Sequence, residues 1–186
     1  MTPAPTATAM SVADAAGFDY RCTETVVIAR DAEAVRRALH DVAEWPRWLP
    51  HVLELDVRYD DGQYQEFFMT VDSEGRTLRV RSIRNCRRDL IEFFQPEPPA
   101  FLRHHAGCWR IRPLNLDAAG QDRTEVSATH VWNLEPDRAA ELYPATAQRS
   151  TAQRVTDVLA GHSRLALDTW QRVLAPPTSA ATEVKP

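Results

Sequence analysis

The sequence predicts an α+β domain in which a curved antiparallel β-sheet wraps around one long carboxy-terminal helix and encloses an internal cavity. Three observations carry this expectation. A period-two alternation runs through the middle of the chain, turn signals divide it into hairpins, and one long amphipathic stretch closes it. A curved sheet has one face to bury, and a single helix laid across it leaves a hollow suited to a ligand.

Tyr20–Ile28, rich in Thr and Val, reads as the first strand. Asp31 then caps a helix whose apolar positions Val35, Leu39 and Val42 recur at helical spacing. In Glu44-Trp-Pro-Arg-Trp-Leu-Pro50 the two prolines stop a long helix and leave a short turn carrying Trp45 and Trp48. The period then changes to two, with Leu53, Leu55 and Val57 alternating against Glu54, Asp56 and Arg58. Asp60-Asp61-Gly62 signals a hairpin, 63–72 the next strand, and Asp72-Ser-Glu-Gly75 the next turn. Further strands fall at 76–85, 90–95, 103–112 and 124–134, and the proline-rich segment 95–101 is assigned to a loop at the cavity mouth. Residues 146–174 form the long helix, with Val155, Leu159, His162, Ala166, Trp170 and Val173 on one stripe. The expected division is a flexible leader over 1–19, a folded domain over 20–174, and a disordered tail over 175–186.

A chain of 186 residues is long enough for one domain with a sizeable core. Its net charge of −4 argues against nucleic acid as a partner, since phosphate binding needs a basic surplus. No apolar run approaches the roughly 20 residues of a membrane span, and residues 1–16 lack the basic start and apolar stretch of a secretory signal. Cys22, Cys86 and Cys108 are odd in number and scattered, so a reduced cytoplasm is the expected compartment. In His104-His-Ala-Gly-Cys108, the first His and the Cys sit roughly 13 Å apart along a strand, too far to share a metal. No metal is expected.

Strand phase separates inward from outward polar groups. Leu78 and Val80 are in phase with Ser82 and Arg84, so Arg84 points where the core should be. A buried unpaired guanidinium costs on the order of several kcal/mol. Phase alone leaves its partner open: a core carboxylate, water, a ligand oxygen, or escape to solvent at the strand end. Val126, Ala128 and Trp132 share a face with His130, which is either a satisfied core histidine or a cavity group. His105 is in phase with Trp109 and Ile111, and His162 falls on the inner stripe of the last helix.

These segments resemble the START-like superfamily, and within it the polyketide aromatase/cyclases of the tetracenomycin type. The resemblance covers about Thr23 to Leu174. It rests on Ala29-Arg-Asp-Ala-Glu-Ala-Val35, Asp41-Val-Ala-Glu-Trp-Pro46, Gly75-Arg-Thr-Leu-Arg-Val-Arg-Ser-Ile-Arg84 and Thr124-Glu-Val-Ser-Ala-Thr-His-Val-Trp132. The Trp-Pro segment is widespread in the superfamily, whereas the strand ending in Arg84 is more specific. The resemblance implies a helix-grip fold, a cavity for a long oxygen-rich chain presented by an acyl carrier protein, and regiospecific aldol closure with dehydration and no cofactor. It implies catalytic roles for Arg84 and His130. Departures exist: a cavity tyrosine of one subgroup aligns with Val52, and an aspartate of another falls near Arg154, one turn from Asp157.

The expected chemistry suits these groups. Arg84 binds ketone oxygens and stabilises developing negative charge. His130, at an ordinary imidazole pKa, takes a methylene proton and later protonates the departing hydroxyl. His105, His162, Tyr143 and Ser82 add hydrogen bonds, and Trp45, Trp48, Trp109 and Trp132 supply apolar surface. The alternative function is a non-catalytic carrier or sequestering protein for a hydrophobic small molecule, and a homodimer fits either reading.

Overall fold

The computed structural model describes residues 11–118 and 120–175, so the expected tail over 175–186 lies, beyond Ala175, outside the described residues. Seven antiparallel strands form one sheet: β1 (Tyr20–Ile28), β2 (Val52–Asp60), β3 (Tyr64–Ser73), β4 (Arg76–Cys86), β5 (Leu90–Glu97), β6 (Leu102–Leu114) and β7 (Arg123–Leu134). Their order is β1-β7-β6-β5-β4-β3-β2, a meander whose first strand closes beside its last. Between β1 and β2 lie α1 (Ala32–His40) and the one-turn α2 (Trp45–Trp48); after β7 come α3 (Pro136–Leu142) and the long α4 (Thr151–Leu174). α4 packs chiefly on β1. This is the helix-grip arrangement.

Local chemistry explains the boundaries. Asp31 caps α1 by accepting from the Ala34 amide at 2.8 Å, and Val35 and Leu39 bury its inner face. Val42, expected on that helix, instead lies in a following turn of 3₁₀ helix. Pro46 sits in the first turn of α2, where its missing N–H costs nothing. Glu74 and Gly75 both adopt positive φ, 54° and 77°, as the tight β3–β4 turn requires.

The long helix starts five residues later than expected. Ser150 caps it in a reciprocal box with Gln153, at 3.2 and 2.7 Å, while Thr146 folds the preceding residues into a separate turn.

Three other expectations change. β2 does not keep a clean apolar face: a register shift at Val52/Glu54 leaves Leu53 at 53% exposure, and Val57, still opposite Phe67, is 38% exposed on this edge strand. β5 continues through Pro96 to Glu97, because beyond Phe94 it has no registered partner on β6 and a proline there interrupts no ladder bond on that side. The end of the leader is not loose. Ala13 is buried against Leu90, Ala106, Cys108 and Val131 on the outer sheet face. Val12 N–H donates to Glu92 at 2.7 Å and Arg110 pairs with Asp14 at 2.8 Å. Residues 1–10 lie outside the described part.

Candidate functional site

The concave sheet face and α4 enclose a hollow of about 130 Å³ that is open to the outside. A cavity of this size is comparable with one that admits a single benzene ring. The resemblance implied room for a long chain, and the hollow is smaller than that. Phe67, Met69, Val71, Leu78 and Val80 form an apolar floor, and α4 adds Leu159, Ser163 and Ala166.

Strand phase delivers the polar groups. The register aligns Arg84, Phe93, Gly107 and His130 in one row across β4, β5, β6 and β7. Gly107 is there for space: a Cβ would stand 2.2 Å from the Thr129 carbonyl oxygen and 2.5 Å from the Phe93 ring. The ring thus lies over β6 and meets His130 and His105 edge-on, with centroids 5.2 and 5.6 Å away.

Arg84 is 2% exposed. Its Nη2 donates to the Leu39 carbonyl at 2.7 Å, in the last turn of α1 where the helix dipole favours a cation. The guanidinium carbon lies 5.2 Å from the Trp45 ring centroid. No carboxylate forms a salt bridge with it among the described residues, and Nη1 has no hydrogen-bond partner. Burial pulls its pKa down to about 10, the Cys86 thiol and Asp60 opposing, so the group stays charged near neutrality.

The histidines are held differently. Gln95 Nε2 donates to Ser82 Oγ at 3.3 Å, Gln95 Oε1 meets His105 Nδ1 at 2.7 Å, and His105 Nε2 meets His130 Nδ1 at 2.8 Å. Burial, reinforced by repulsion from His162, lowers the His130 pKa to about 4, and burial holds His105 well below 6.5. Both rings are therefore neutral at pH 7, whereas an ordinary imidazole pKa was expected for His130. His130 is half-buried and lines the cavity.

Seven residues singled out from the sequence converge on this hollow: Ser82, Arg84, His105, His130, His162, Trp45 and Trp109. Three do not. Trp48 is 37% exposed and stacks under Arg47, 4.7 Å from the guanidinium carbon. Tyr143 is turned inward by α3 but packs behind Phe101, with ring centroids 5.0 Å apart, outside the cavity lining. Trp132 shares the phase of His130 yet lies one repeat further along β7, beneath Tyr20 and outside the cavity lining.

His51, Phe93 and Gln95 join the site without having been singled out. His51 stacks on His162 with centroids 5.8 Å apart, and burial with repulsion from His162 lowers its pKa to about 4. Its position before β2 gave no phase to read. The alternation Ile91, Phe93, Gln95 did carry a signal, masked by ending that strand at residue 95. Of the departures, Val52 lines the cavity; Arg154 donates to the Pro144 carbonyl and Asp157 pairs with Arg149, both away from it.

The family model described as polyketide cyclase/dehydrase and lipid transport matches residues 28–155. The chain belongs to that family. Among solved structures, the Zhui aromatase/cyclase from Streptomyces sp. R1128 is 22% identical over 83% of this chain and 93% of its own, with a TM-score of 0.68. The di-domain aromatase/cyclase BexL of the BE-7585A biosynthetic pathway is 26% identical over 85% of this chain and 51% of its own, at 0.70. StfQ, the di-domain aromatase/cyclase of the steffimycin pathway, is 22% identical over 83% of this chain and 50% of its own, at 0.71. This polyketide cyclase family member therefore spans about half of each di-domain protein. No curated protein sequence matches it. No helix among the described residues is long and apolar enough to cross a membrane.

Proposed function

We propose that this protein is a cofactor-independent aromatase/cyclase that closes a ring in a carrier-bound poly-β-ketone by aldol addition and then dehydrates it. The observation that carries this reading is Arg84: a charged guanidinium, 2% exposed, on the lining of an apolar cavity, with its Nη1 enclosed and without a hydrogen-bond partner. Such a group gains most from an oxygen that acquires negative charge.

In the proposed reaction Arg84 holds one ketone oxygen, and neutral His130 takes a proton from the neighbouring methylene. The enolate carbon bonds to a second ketone carbon, whose oxygen becomes a hydroxyl on taking a proton. Loss of that hydroxyl with an adjacent hydrogen, as water, gives the unsaturated ring. An enolate beside His130 raises the imidazole pKa while the charge lasts, which offsets the low value of the empty site. Apolar walls fix which carbon meets which carbonyl. The match to the polyketide cyclase/dehydrase family model supports a polyketide substrate.

The test is reconstitution with a minimal polyketide synthase and its acyl carrier protein. The protein is expected to change the product profile to a defined cyclised aromatic, and Arg84→Ala and His130→Ala to return it to that of the synthase alone. An unchanged profile on adding the protein, with a hydrophobic compound retained in stoichiometric amount, would establish the carrier function instead.

A further inference from the structure

His130 sits at the end of a hydrogen-bond chain whose polarity fixes where its proton lies. The Gln95 amide N–H is directed to Ser82 Oγ, which leaves its carbonyl oxygen, an acceptor only, facing His105 Nδ1. His105 Nδ1 must then carry hydrogen. In a neutral ring its Nε2 is bare and accepts from His130 Nδ1, which must carry hydrogen in turn. His130 Nε2 is what remains: it makes no hydrogen bond among the described residues, and it is not one of the buried atoms cut off from space.

We infer that Ser82, Gln95 and His105 form a positioning relay that holds neutral His130 as the Nδ1–H tautomer and aims a bare Nε2 lone pair into the cavity. The inference rests on the cyclisation reading for its purpose, though not for its geometry. Free histidine in water favours the opposite tautomer, so an isolated ring in this place would present an N–H donor to the cavity and no lone pair. The relay makes it a base. When Nε2 takes a proton, the charge is shared through Nδ1–H with His105, whose own Nδ1–H already rests on the Gln95 carbonyl. Gln95 and His105 need not touch substrate for this role.

The titratable groups facing His130 are His105 on β6, Cys22 opposite it on β1, and His162 on α4. None is an anion at neutral pH: the imidazoles are neutral and burial pushes the Cys22 thiol up to about 11. A carboxylate introduced at 95 would therefore be the nearest negative charge to the relay.

Nitrogen-15 NMR of the imidazoles in the full chain tests this without activity. The wild type is expected to show His130 protonated at Nδ1 and bare at Nε2. Gln95→Leu is expected to release His130 toward the Nε2–H form and lower turnover by about tenfold or more. Gln95→Glu, which preserves the acceptor, is expected to keep the Nδ1–H form, restore most of the turnover, and move the acid limb of the kcat/KM profile to higher pH. A wild-type His130 protonated at Nε2, or a tautomer indifferent to Gln95→Leu, overturns the relay. Correct tautomers with a product profile indifferent to His130→Ala would leave the relay standing and remove the cyclisation reading.

Discussion

The Arg84 corner and the histidine wall face the same cavity and handle burial in opposite ways. Arg84 stays charged with no salt-bridged carboxylate among the described residues, supported by the Leu39 carbonyl, the Trp45 face, the end of α1 and the more distant charge of Asp60. The histidines give up charge and satisfy each other through Gln95 and Ser82. One corner thus keeps an unmet demand for negative charge, and the other keeps an unmet lone pair. Placed on one row of the sheet, across the Phe93 ring, they are an electrophilic and a basic group held apart by an aromatic spacer. A fold optimised only for stability would have paired or replaced both.

Removing the basic group gives the largest expected effect. His130→Ala should lower the rate of cyclised product formation about 10²- to 10⁴-fold, measured as product per protein in the reconstituted system. A smaller but structural effect is expected from the spacer. Gly107→Ala forces a Cβ against the Thr129 carbonyl and the Phe93 ring, and should cost about 1–3 kcal/mol in urea unfolding. A wild-type stability for that variant would mean that Phe93 does not lie where the row requires.

Acid should weaken the fold through the histidine wall. His130 and His51 bind protons near 6.5 when unfolded but only near 4 when folded. Between those values the unfolded chain holds more protons, so stability rises with pH there and is lost as pH falls from 6.5 through 4. The urea midpoint is expected to drop across that window, and less steeply in His130→Phe. The smallest effect is at Trp48, whose exposure puts Trp48→Ala within about 0.5 kcal/mol of wild type, with an unchanged product profile.

Much of this comparison was legible in the sequence because strand phase is a strict rule. Alternation alone turned Arg84, His105 and His130 inward, and all three line the hollow. What it could not supply was position along the strand or across a bulge. Trp132 has the phase of His130 and sits past the cavity, while Leu53 loses its phase at a register shift in an edge strand. The Gln95 link depended on a strand persisting through Pro96, which only the end of its pairing with β6 permits. The His51–His162 stack joins the start of β2 to α4, a contact no local pattern encodes.

The most direct test measures two quantities on one variant, Arg84→Met: thermal stability and cyclised product. Removing an unpaired buried charge should leave stability unchanged or raise it by about 1 kcal/mol, while product formation falls about 10²- to 10³-fold. Retention of the cyclised product in a folded Arg84→Met protein would contradict the role given to this guanidinium.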